Sequence, residues 1–129
     1  MNPRTLLIDS FHAAVAAADP LKIVSAHLPP PPKGRTLVVG AGKAAASMAR
    51  AVELAWPRTA PIDGLVVTRY AHGLETSTIE VIEAGHPVPD GAGEKAAAEI
   101  LARVSALGSD DLLIALVSGG GSSLLSLPV

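Results

Sequence analysis

The groups best suited to chemistry cluster in three stretches: Gly40-Ala41-Gly42-Lys43, Glu83-Ala84-Gly85-His86-Pro87-Val88-Pro89-Asp90 and Ser118-Gly119-Gly120-Gly121-Ser122-Ser123. The first leaves an apolar run and opens an Ala-rich helical stretch. A helix start carries N–H groups without intrahelical partners, which favour an anion. Glycine at positions 40 and 42 lets the backbone approach such a ligand, and Lys43 adds a full positive charge. The structural alternative is a tight turn with a solvated lysine. In the last stretch, consecutive glycines weaken a purely structural turn through their conformational entropy. A concave nest of N–H groups flanked by the hydroxyls of Ser118 and Ser122, suited to phosphate or carboxylate, would offset that weakness; a flexible linker is the plainer reading. In the middle stretch the prolines fix the loop's shape, and either X-Pro bond can be cis. His86 there either donates to a substrate or ties the loop to backbone.

Several familiar patterns fail on inspection. A Walker A loop requires glycine where Leu37 stands and a hydroxyl where Ala44 stands. A dinucleotide fingerprint fits loosely as Gly40, Gly42 and Ala45, but Thr68-Arg69 occupies the place of the acidic residue that would hold a ribose. Arg69 suits a 2′-phosphate, which keeps an NAD(P)H-dependent oxidoreductase as an alternative. Ser122 is not a nucleophile elbow, because Leu124 replaces the required glycine. His12, His27 and His72 are dispersed, and no residues stand at metal-ligand spacing. With no cysteine in the chain, thiolate chemistry and cysteine-ligated zinc are excluded.

These loops need strands and helices to hold them. Thr36–Val39, Leu65–Thr68, Glu80–Glu83 and Leu112–Val117 read as strands, the last as the most apolar and fully buried. Asn2-Pro3 starts an amphipathic helix bearing Leu7, Phe11, Ala14 and Ala18, and Asp19-Pro20 starts a short second one. Pro29 to Pro32 form a stiff connector. Asp90 caps a helix running to about Leu107, with Gly108 beyond its end. Residues 1–32 thus form a helical lead-in, and residues 33–129 a series of strand–loop–helix units. The expected fold is α/β, a mainly parallel Rossmann-like sheet with flanking helices. The closing Leu124–Val129 opens a further element without a capping turn, so the chain reads as the front part of a longer protein.

Composition narrows the partners. The chain has 129 residues, 10 basic against 12 acidic, a net charge of -2, and 49% apolar residues with Phe, Trp and Tyr once each. That balance gives no electrostatic footprint for nucleic acid, and the core must be built from Ala, Val, Leu and Ile. No apolar run approaches the ~20 residues of a membrane span. Asp9, Ser10 and His12 interrupt what would be a signal-peptide core, so a cytoplasmic location is expected.

Taken in series, GAGKAAASMA (Gly40 to Ala49), EAGHPVPDGAG (Glu83 to Gly93) and DDLLIALVSGGGSSLLSLP (Asp110 to Pro128) resemble the class II glycerate kinases, the glycerate 2-kinase family sometimes labelled hydroxypyruvate reductase. The resemblance covers essentially the whole chain and only the beginning of the family's larger N-terminal domain. It implies ATP- and Mg²⁺-dependent phosphorylation of D-glycerate to 2-phosphoglycerate, in a cleft closed by a C-terminal domain. The family's proposed catalytic lysine falls on Lys43 and its anion loop on Ser118, Gly119, Gly120, Gly121 and Ser122. Ser123 departs from the family's usual Ala. The later arginine and acidic groups lie beyond this match, so the 129 residues alone are expected not to turn over, and no Mg²⁺ ligand is identifiable in them. A non-catalytic sugar-phosphate-binding module is a second alternative.

Overall fold

The computed structural model describes residues 1–128. Asn2 accepts from the Arg4 N–H at 2.9 Å and Pro3 supplies the first helical position, starting α1 (Pro3–Ala17). Asp19 and Pro20 repeat that start for the single turn α2 (Pro20–Ile23), which tightens into a 3₁₀ turn over Val24–His27. Four strands follow with their helices: β1 (Thr36–Ala41), α3 (Ala45–Ala55), β2 (Ile62–Arg69), β3 (Ile79–Ala84), α4 (Gly91–Ser105), β4 (Leu112–Val117) and the short α5 (Gly121–Leu124). Asp90 caps α4 by accepting from the Gly93 N–H at 3.1 Å. All strand pairs are parallel, in the order β3-β2-β1-β4.

The central strand β1 is buried on both faces, as its unbroken apolar run demands. On one face Leu37, Val39, Leu65 and Val67 pack against Ala96 and Ile100 of α4 and Leu124 of α5. On the other, Val38, Val66 and Leu116 pack against Ala45, Ala49 and Val52 of α3 and against Trp56. Small residues on both covering helices let them sit close to the sheet. Each fully buried Val or Leu contributes roughly 1.5–3 kcal/mol relative to exposure.

Two elements depart from expectation. The apolar run of β4 is not fully buried. Leu116 is covered, but Leu113 is 40% exposed and Val117 76%. The reason is topological: β4 is an edge strand, and α4 lies over β1, β2 and β3. The first helix forms as expected, yet it buries no residue; Leu7 and Phe11 on its apolar face are mostly exposed.

Candidate functional site

Parallel strands end together. The register sets Ala41 beside Val67 and Val117, and Arg69 beside Ala84. All three candidate loops therefore leave the sheet at its carboxyl edge, where α/β proteins hold ligands.

The first loop is closed rather than open. The Gly42 N–H donates to Val67 O at 3.0 Å, Lys43 N–H to Gly119 O at 2.9 Å, and Ala45 N–H to Gly42 O at 3.1 Å. The Ala44 N–H donates to Ser118 Oγ at 3.0 Å. The N–H groups of Gly42 through Ala45, which lead into α3, are thus taken by the chain itself; those of Ala46, which is buried, and Ser47 have no acceptor among the described residues. Gly40 lies inside β1, where a Cβ would stand 2.9 Å from the Leu116 Cβ; it serves close strand packing. Gly42 adopts φ 139, a backbone geometry that favours glycine. What this loop still offers is the exposed Lys43. Its Cε and Nζ lie 3.4 and 3.6 Å from where a Cβ on Gly119 would be, so the side chain reaches across to the other glycine turn.

The second loop is open. Ser118 N–H donates to Ala41 O at 3.1 Å, fastening the loop to β1. Gly120 turns through φ 88, ψ 7, and α5 begins directly after it. Ser123 Oγ donates to Gly120 O at 3.1 Å, and fully buried Leu124 anchors the turn in the core. Among the described residues, the N–H groups of Gly119 through Ser123 have no acceptor in the chain. A run of unspent donors beside an ammonium group is a seat for an oxyanion. A groove of about 510 Å³ adjoins it, running from Ser118, Gly120 and Gly121 to the apolar Val39, Ala115 and Ile100; Lys43, Gly119 and His86 do not line it.

The third loop closes over the second. The His86–Pro87 bond is cis, and the imidazole lies against Gly120: a Cβ there would collide with Nε2 and stand 2.6 Å from Cδ2. The loop is tied at its far end by Asp90, which accepts from the Tyr70 hydroxyl at 2.7 Å and from the Gly93 N–H. The Tyr70 hydroxyl, followed by the backbone N–H groups of Gly85 and Gly93, holds the Asp90 carboxyl below its ordinary range; the same bond pushes the Tyr70 phenol up. Tyr70 escaped sequence reasoning, and only its place at the end of β2 hinted at it. Arg69 also ends at this edge, half-buried and without an ion pair among the described residues. His12, His27 and His72 stay apart, and no cluster of His, Asp or Glu able to hold a metal ion occurs among the described residues.

The structure thus brings Lys43, His86, Gly119, Gly120 and Gly121 together, with Ser118 and Ser122 flanking them, and leaves Gly40 and Gly42 as structural supports. Comparison with known proteins is consistent across the whole chain. Residues 6–129 match a family model described as "Domain of unknown function (DUF4147)". A protein of Agrobacterium vitis provisionally named hydroxypyruvate reductase is 54% identical over 128 residues, which is 99% of this chain and 29% of that protein. A glycerate 2-kinase of Pyrococcus horikoshii is 44% identical over 96 residues, 74% of this chain and 21% of the relative. The crystal structure of a glycerate kinase from Thermotoga maritima superposes with a TM-score of 0.81 and 34% identity, covering 97% of this chain and 30% of that one. The chain therefore spans about a third or less of the length of the relatives it matches.

Proposed function

The chain belongs to the DUF4147 family, the glycerate kinase family that its sequence resembles, and on that premise we propose that the protein carrying it transfers the γ-phosphoryl group of ATP to the 2-hydroxyl of D-glycerate. The bond between the γ-phosphorus and the ADP oxygen breaks as the bond to the glycerate 2-oxygen forms. The hydroxyl proton is released, giving 2-phosphoglycerate and ADP. The observation that carries this reading is the unspent N–H run of Gly119 through Ser123 with Lys43 lying across it.

Phosphoryl transfer asks mainly for positioning and for neutralisation of charge spread over the phosphoryl oxygens. Backbone N–H groups fixed before the substrate arrives supply the first, and the Lys43 ammonium supplies the second. Ser118 acts from behind, since its Oγ binds the Ala44 N–H and so locks the lysine loop to the glycine turn. Kinases of this kind use Mg²⁺ with ATP, but the described residues contain no cluster that fits the ion. The acid and base groups that complete the reaction, and the second wall of the cleft, are assigned to the polypeptide that lies beyond this match in the longer relatives.

The name of the Agrobacterium relative favours a second reading, reduction of hydroxypyruvate by NADPH. The geometry speaks against it at one point. A dinucleotide's pyrophosphate rests on the glycine turn and the helix start after β1, and here Gly119 O and Ser118 Oγ already occupy the N–H groups of Lys43 and Ala44 in that turn. Product analysis of the complete protein separates the two. With D-glycerate and MgATP it is expected to form 2-phosphoglycerate, and with hydroxypyruvate and NADPH nothing. NADPH oxidation without phosphoryl transfer would replace the kinase reading, and phosphate-ester binding without either turnover would make the domain a binding module.

A further inference from the structure

We propose that His86 is a donor to the bound oxyanion, its Nε2–H completing the ring of N–H groups over Gly119–Gly121. This rests on the reading of the glycine turn as an anion seat, and gives a role to a side chain that the reading does not otherwise use.

The two ring nitrogens sit in different surroundings. Nδ1 is buried with no hydrogen-bond partner. Nε2 faces Gly120 closely enough that a Cβ there would collide with it. It also lacks a partner in the chain but, unlike Nδ1, is not fully buried, so a ligand can reach it. In a neutral imidazole one nitrogen donates and the other accepts. An orphaned buried N–H is rarer than an under-satisfied acceptor. The proton therefore belongs on Nε2. That places a side-chain donor beside a turn whose own N–H groups are all donors without acceptors. Adjacent glycines meet the two side chains in turn: Lys43 lies against Gly119 and His86 against Gly120. A site made only of donors needs a ligand made of acceptors, and a phosphoryl or carboxylate group supplies several oxygens at once. The missing Cβ at Gly120 thus has a second purpose beyond its φ of 88, which is to let the imidazole reach the seat.

The experiment titrates the ¹⁵N-histidine-labelled and amide-labelled 129-residue chain with inorganic phosphate and with ADP. Wild type is expected to show the Nε2–H tautomer at His86. Its Nε2 resonance should move in step with the Gly119, Gly120 and Gly121 amides. His86→Phe keeps a flat ring without the donor and is expected to weaken binding about tenfold, the loss of one hydrogen bond to a charged acceptor. His86→Gln, which returns an N–H near the Nε2 position, is expected to recover most of it. Glycine amides that shift while His86 Nε2 stays still would overturn the role of His86 and leave the anion seat standing. Glycine amides that do not move with either probe would overturn both. Should His86→Phe fail to fold, the wild-type ¹⁵N titration decides alone.

Discussion

Replacing Gly120 with Ala tests the seat at its most constrained point. The residue sits at φ 88, where any Cβ brings a left-handed strain of about 1–2 kcal/mol. The added methyl would also stand 2.6 Å from His86 Cδ2 and collide with Nε2, so either the imidazole or the turn must move. Turn movement re-aims the N–H groups of Gly120 and Gly121, and each N–H bond to a charged acceptor is worth roughly 1.5–3 kcal/mol. Losing one such bond alone means a fall in affinity of about 10- to 100-fold. Gly119 provides the matched control. It carries no positive φ, and its Cβ would only touch the Lys43 side chain at 3.4 Å. Gly119→Ala should keep stability within about 0.5 kcal/mol and reduce affinity far less. The assay is phosphate and ADP binding by NMR titration, with urea denaturation of each variant in parallel. Equal binding by wild type and Gly120→Ala would refute the reasoning, and so would equal losses in the two variants.

Lys43→Ala in the complete protein should lower kcat by ~100-fold or more with an unchanged melting temperature, the loss expected for one preorganised charge-stabilising donor; near-normal turnover would remove the lysine from the mechanism. Ser118→Ala leaves the half-buried Ala44 N–H without its acceptor, and should cost about 1 kcal/mol in denaturation experiments, as for a lost helix cap. Asp90 has a lowered folded-state carboxyl, so its tie to Tyr70 and the α4 start is present at neutral pH and is lost as pH falls through that lowered value. In Tyr70→Phe the Asp90 carboxyl should titrate at higher pH than in wild type by ¹³C NMR, because the largest influence holding it down is gone. Glu53→Ala should loosen the 76–79 connection. Burial pushes its carboxyl up, but N–H bonds from Ile79, Ser77 and Thr78 outweigh that and hold it low. Amide exchange at those residues measures the loss.

The sheet was legible because its strands are short runs of Val, Leu and Ile between glycine and proline punctuation. Their ends were less so: β1 runs on through Gly40 and Ala41, β3 gains a residue at each end, and β2 departs most, starting at Ile62 ahead of Asp63-Gly64. Gly64 is there because β1 leaves no room, a Cβ standing 2.8 Å from the Val38 carbonyl carbon. The open face of β4 was not legible, since an apolar run reports burial without reporting which strand is at the edge. Nor was the difference between the glycine turns. Lys43 and Ala44 lose their N–H groups to Ser118 and Gly119, more than seventy residues along the chain, and no local pattern records such a bond. The Tyr70–Asp90 tie is hidden in the same way, spanning twenty residues between loops. The chemistry-bearing residue types were visible in sequence; which of them remained unspent was decided by tertiary contacts.

That asymmetry is also the most direct point of attack. An amide ¹H–¹⁵N titration of the chain with ADP should shift Gly119 through Ser123 strongly and leave Gly42 through Ala45, already hydrogen-bonded, nearly still. Strong shifts at Gly42 through Ala45 with a silent Gly119–Ser123 turn would contradict the assignment of the anion seat and return the dinucleotide reading to first place.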